Sequence, residues 1–211
     1  MNLIVISELF PPEETSTAYI MGEITKTLSD KYNVTIVCGP EVYDQNKLTV
    51  LPKSSLIAGV TTIRVKGIKE NKANKLSRIR KFLLMSWRLY KASKKVINKG
   101  DKVLLVSNPF PLLILMAFHR KKMDYEISFL AHDLFPEPLL MRFKLPNLVY
   151  RQCLNIFNRS YARMDKIISL GRDMTDVLRE KTMPYNPNLE IIQIENWGDI
   201  NSIYPMDTHS D

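Results

Sequence analysis

One grouping of chemistry-bearing side chains in the chain is Ala131-His132-Asp133-Leu134-Phe135-Pro136-Glu137-Pro138. An imidazole beside a carboxylate, with a second carboxylate in a proline-stiffened turn, suits binding of hydroxyls and movement of protons near neutral pH. The same residues also read as a histidine bonded to a backbone carbonyl while Asp133 caps a turn. Gly171-Arg172-Asp173 offers a guanidinium at a strand-to-helix turn. It can grip a phosphate or carboxylate bidentately, or pair at the surface with Asp173 or Asp176. Thr15 and Ser16, after Pro11-Pro12-Glu13-Glu14, are placed to cap a helix or to touch a ligand, although the two glutamates would repel phosphate there.

Other chemistries are disfavoured. The seven glycines, at 22, 39, 59, 67, 100, 171 and 198, form neither G-x-G-x-x-G nor a phosphate-cradling P-loop, which opposes a nicotinamide or flavin dehydrogenase and a P-loop nucleotidase. Three histidines without H-e-x-x-H spacing give no metal site, and no residue is assigned to a metal. Cys38 and Cys153 lie far apart in apolar patterns, so neither a disulfide framework nor a zinc knuckle is expected, and a reducing, cytoplasmic location is.

The elements that must position these residues follow from periodicity. Val- and Ile-rich runs at 3–7, 34–38, 103–107, 127–131, 166–170 and 189–194 predict buried strands. Between them, helical spacing joins Ile20, Ile24 and Leu28; Leu76, Ile79, Leu83, Trp87, Tyr90 and Ile97; Leu148, Phe157 and Tyr161; and Met174, Val177 and Leu178. Such alternation predicts an α/β domain with a doubly wound, mostly parallel sheet and helices on both faces, spanning residues 1–200. Residues 61–65, with 49–51 before them, predict an edge strand or hairpin, 41–55 a mobile loop, and 201–211 a fraying tail or the start of a crossover. Ligands of open parallel sheets bind beyond the carboxyl ends of the strands, where all the residues above lie.

Charge adds a second theme. The 211 residues hold 30 Lys or Arg against 22 Asp or Glu, a net +8 that favours anionic partners. Eleven of those cations and a single acid, Asp101, fall between Lys72 and Lys102, a local +10 on one predicted helix. This predicts contact with an anionic membrane surface through Lys75, Arg78, Lys81, Trp87, Arg88 and Lys91. A merely solvated face, or nucleic acid, would also suit such a helix, though no nucleic-acid module is visible. The longest nearly uncharged stretch, 109–118, is ten residues with two prolines, where a bilayer span needs about twenty.

Four segments in order, LIVISELFPPEETSTA, FLAHDLFPEPL, RMDKIISLGRDMTDVL and IQIENWGD, resemble the amino-terminal domain of two-lobed GT-B glycosyltransferases, specifically family 4 and its bacterial members that build capsule, O-antigen or exopolysaccharide. The resemblance implies a Rossmann-like lobe of a retaining enzyme that moves a sugar from a nucleotide-sugar donor, without bound metal or other cofactor. The implied acceptor is a saccharide on a polyprenyl diphosphate at the inner face of the plasma membrane. It places His132 near the transferred sugar, with Asp133 and Glu137 as neighbours, and Thr15 and Ser16 where the family often carries Gly-Gly beside the donor diphosphate. Together the readings give His132 and Asp133 as catalytic candidates and Thr15, Ser16, Glu137 and Arg172 as substrate-binding ones. In this family a second lobe, carrying two glutamates separated by seven residues, binds the nucleotide. The resemblance covers only the acceptor-side lobe, which is expected to be inactive without a partner lobe in cis or trans. A non-catalytic partner or membrane adaptor with the same fold is the other function class.

Overall fold

Each predicted apolar run becomes a strand in the computed structural model, which describes residues 1–41, 57–71, 73–137 and 146–198. In chain order the elements are β1 (Asn2–Ser7), α1 (Ser16–Ser29), β2 (Asn33–Cys38), β3 (Thr61–Arg64), α2 (Lys75–Ser93), β4 (Lys102–Val106), α3 (Pro111–Arg120), β5 (Glu126–Ala131), α4 (Asn147–Tyr161), β6 (Lys166–Ser169), α5 (Arg172–Thr182) and β7 (Glu190–Gln193). Helix starts follow capping chemistry. Thr15 Oγ1 accepts from the Ala18 amide at 3.2 Å, Asn74 Oδ1 from the Leu76 and Ser77 amides at 2.9 and 3.3 Å, and Pro111 opens α3 where no amide is needed.

The seven strands lie in the order β3-β2-β1-β4-β5-β6-β7, every pair parallel. The chain builds outward from β1 to β3, then crosses back to start β4 on the other side of β1, so the direction of winding reverses between β1 and β4. Register aligns the carboxyl ends: Ser7 stands opposite Cys38, Val106 opposite Leu130, and Ala131 opposite Ser169. Residues 61–65 join as an edge strand paired in parallel with β2, not as a hairpin; positions 49–51, the loop 41–55 beyond Glu41, and the tail lie outside the described residues.

Helices cover both faces, but unequally. Side chains alternate along β4, with Val103 and Leu105 in a core shared with Met85 and Leu89 of α2, Leu112 and Met116 of α3, Phe157 and Tyr161 of α4, and Leu178 of α5. Leu104 and Val106 point the other way, into a smaller cluster with Met21, Ile24 and Leu28 of α1. Four described helices therefore pack on one face and one on the other. The second face is left with an apolar groove of about 550 Å³ over β4, β5 and β6, bounded by α1 and Trp197. Helix α3 was not anticipated: most of it falls in the uncharged stretch 109–118, and burial of Leu112, Leu113, Met116 and Ala117 erases the polar half of the usual pattern. Among the described residues no helix is long and apolar enough to cross a membrane.

Where β2 ends, Gly39 donates its amide to the Glu8 carbonyl at 3.0 Å, and a Cβ at position 39 would sit 2.4 Å from that same oxygen. Both groups are backbone and cannot step aside without moving β1 against β2. Gly39→Ala is expected to cost about 2 kcal/mol, the usual range for overpacking a rigid site. Urea denaturation of the variant checks this; an unchanged midpoint would show that the strand ends yield freely.

Candidate functional site

The loop beyond β5 is held by three braces. Ser107, 2% exposed at the end of β4, accepts on its Oγ the amides of His132 and Asp133, at 3.2 and 3.3 Å. At the other end of the loop, the Tyr161 hydroxyl from α4 accepts the Phe135 amide at 3.0 Å. The Phe135 ring stacks on Phe110 with centroids 4.7 Å apart. Burial raises the Tyr161 phenol well above its ordinary range, so it stays a neutral partner to that backbone. A loop held at three points fixes the backbone that carries His132.

The His132 ring is half-buried, and its Nε2 is buried without a hydrogen-bond partner among the described residues. Desolvation lowers its pKa, and the Asp133 charge opposes that only in part. Burial therefore favours the neutral imidazole. In either tautomer its Nε2 suits a sugar hydroxyl, a group that both donates and accepts. Asp133 is exposed, with Oδ2 accepting Asn108 Nδ2 at 3.0 Å across the β4–β5 gap. Glu137 binds the Lys181 ammonium from α5 through Oε1, while its Oε2 is buried and unpartnered among the described residues.

The other predicted residues are spread along the strand ends. Thr15 spends its hydroxyl on the α1 cap, and Ser16 is exposed at the first turn of that helix. Arg172 is exposed at the start of α5, and Asp176 pairs with Arg179 at 3.6 Å. On α2 the predicted membrane-contact set divides. Trp87 and Lys91 are exposed. Lys81 is only 4% exposed, however, and binds Glu70 at 3.1 Å, with Arg78 on the other oxygen of Glu70 at 3.3 Å. Arg88 donates to the Lys66 and Gly67 carbonyls at 2.7 and 2.9 Å, which pins the loop before α2. Those three cations face inward because an acid and two carbonyls lie there. The Lys75 side chain lies outside the described residues.

Periodicity did not reveal Glu8. It follows β1 directly and is 5% exposed, with Oε1 unpartnered among the described residues. Burial pushes its carboxyl up to about 7, the Lys81 charge working against that shift and Glu70 adding to it. An acid directly after an apolar strand at the β1–β4 reversal is the only sequence signal for it. Ser107, Tyr161 and Lys181 were also missed; each acts on residues at least 25 positions away.

A parallel sheet of this order, with helices on both faces, has the Rossmann-like fold of glycosyltransferases of the GT-B type. No family model matches the chain. Its sequence is 24% identical over 210 residues to the probable glycosyltransferase WbjE of Pseudomonas aeruginosa, covering 97% of this chain and 50% of that protein. Among solved structures it resembles the Candida albicans trehalose-6-phosphate phosphatase N-terminal domain, with a TM-score of 0.62 at 11% identity over 92% of this chain and 48% of that one. It also resembles a trehalose-6-phosphate synthase studied for glycosyl transfer with retention, with a TM-score of 0.56 at 12% identity and the same coverage of 92% and 48%. The chain thus spans about half the length of the curated relative it matches.

Proposed function

We propose that this chain is the amino-terminal, acceptor-side lobe of a retaining glycosyltransferase of family 4 type. In this reading it serves bacterial surface polysaccharide synthesis and moves a hexose from a nucleotide-sugar to a polyprenyl-linked saccharide. The observation that carries the reading is His132 at the carboxyl end of β5: its Nε2 is buried without a partner among the described residues, on a loop whose backbone is braced by Ser107 and Tyr161. Similarity to WbjE supports sugar transfer, and likeness in fold to a synthase that transfers with retention supports the stereochemistry.

His132 then contacts a hydroxyl of the transferred sugar, with Asp133 orienting the loop through Asn108. Thr15, Ser16, Glu137 and Arg172 line the route along the strand ends. The donor nucleotide is held mainly by a second lobe, in cis or in trans, and the chemistry needs no metal or other cofactor. The lobe works peripherally at the inner face of the plasma membrane and is inactive alone. The test is to pair the chain with its donor-binding lobe and screen a panel of nucleotide-sugars against a lipid-linked acceptor extract. His132→Ala is expected to lower the rate by about 100-fold or more, the usual size of a lost proton-handling group. An unchanged rate would remove His132 from the mechanism, and no transfer from any donor would reject the reading.

A further inference from the structure

Helix α2 presents an unusual face to solvent. Leu76 is 75% exposed, Ile79 36%, Leu83 55%, Leu84 40% and Trp87 46%, while Met85 and Leu89 fill the core at 1% and 0%. Spacings of three and four residues put Leu76, Ile79, Leu83 and Trp87 in one row along the helix, about 16 Å long at the α-helical rise. Polar residues meanwhile turn inward: Ser86 and Ser93 are fully buried and bond the carbonyls one turn back, and Lys81 is buried on Glu70. A helix packed on one side and solvated on the other shows the reverse arrangement.

The charges bordering this row have one sign. Arg80, Lys91, Lys94 and Lys95 are exposed, and α2 contains no Asp or Glu at all. Lys91 lies 5.6 Å from the centre of the Trp87 ring, so a cation and an indole stand together, as they do at a headgroup boundary. Two copies meeting through this face would bring like charges together, whereas an anionic bilayer satisfies both the apolar row and its cationic border.

We propose that α2 docks on an anionic lipid bilayer by inserting Leu76, Ile79, Leu83 and Trp87 at headgroup depth, with Arg80, Lys91 and Lys94 against lipid phosphates. The proposal deepens the membrane placement in the preceding reading and rests on it for context, but its test involves no sugar. It also differs from a purely electrostatic contact: the apolar row carries the binding, and Arg78, Lys81 and Arg88 take no part.

Trp197→Phe leaves Trp87 as the sole tryptophan reporter, since the chain has two. The variant chain is mixed with phosphatidylcholine vesicles, with or without phosphatidylglycerol, and with brominated lipid as quencher. The expected result is a blue-shifted, bromine-quenched Trp87 emission with anionic vesicles, largely retained at about 0.5 M salt where surface charges are screened. Leu76→Ser with Leu83→Ser is expected to weaken partitioning by about tenfold or more with the thermal midpoint unchanged, since both side chains already face water. Binding that salt strips without any quenching would overturn the proposal, as would no binding. A lipid-free blue shift that tracks dimer formation would also overturn it. Failure of glycosyl transfer with intact vesicle binding rejects the preceding reading alone, and absent binding with intact transfer rejects this one alone.

Discussion

Replacing Glu8 by Gln is expected to flatten a pH dependence of stability that the native chain carries between about pH 4.5 and 7. The folded carboxyl holds its proton up to about 7, whereas the ordinary value is 4.5. Below the lower value both states are protonated and Glu8 contributes no pH dependence. As pH rises, the unfolded chain releases the proton first, so folding grows less favourable until the folded pKa is passed. Above that the loss is complete, about 3 kcal/mol at roughly 1.4 kcal/mol per pH unit. Burial is the cause: the Lys81 charge that favours the anion also binds Glu70, and Glu8 Oε1 has no bond among the described residues to stabilise its anion. Glutamine keeps the shape without the titration. Urea unfolding of both chains from pH 4 to 8 measures the difference between the curves, and parallel curves would refute a perturbed Glu8. Glu8 directly follows β1, at the carboxyl end of the sheet where β1 and β4 part.

A comparable loss is expected at Lys181. Its side chain is 6% exposed and its ammonium is bound by Glu137, itself 44% exposed. Glu137→Gln would leave a buried cation with no counter-charge, at a cost of about 2 to 3 kcal/mol. That lies below the range for a fully buried pair, because the Glu137 side chain is only partly buried. Lys181→Met in addition should recover most of the loss, since an apolar side chain of similar length needs no partner. The coupling read from a double-mutant cycle is then about 2 kcal/mol, and purely additive losses would show that the pair does not act as a unit. The pair also ties the end of the His132 loop to α5. Loosening it should therefore raise amide exchange at residues 132–137 more than elsewhere.

Much of this fold was legible without coordinates. Strands buried on both faces must be continuous apolar runs, and β1, β2, β4, β5 and β6 are such runs with boundaries within a residue or so of the prediction. Alternation with helices then forces parallel pairing, because a parallel crossover has to carry the chain back along the sheet. The His132-Asp133 pair was visible because it follows a strand, and Thr15 because capping is a local interaction.

What the sequence by itself determined, then, was whatever depends on near neighbours in the chain: element type, parallel order of the sheet's construction, and which loops stand at the ligand end. Only the tertiary structure decided which way long side chains turn. Lys81, Arg78 and Arg88 look like an exposed basic face in the sequence, yet Glu70 and two backbone carbonyls draw them inward, while Leu76, Leu83 and Trp87 are left facing water. The same holds for Glu8, whose raised pKa follows from burial that its own neighbours in sequence do not predict, and for α3, hidden by burial against helices on either side. Local propensity acts over a turn or two of chain, whereas burial and charge pairing are set by segments brought together from far apart, and no window along the sequence contains both partners.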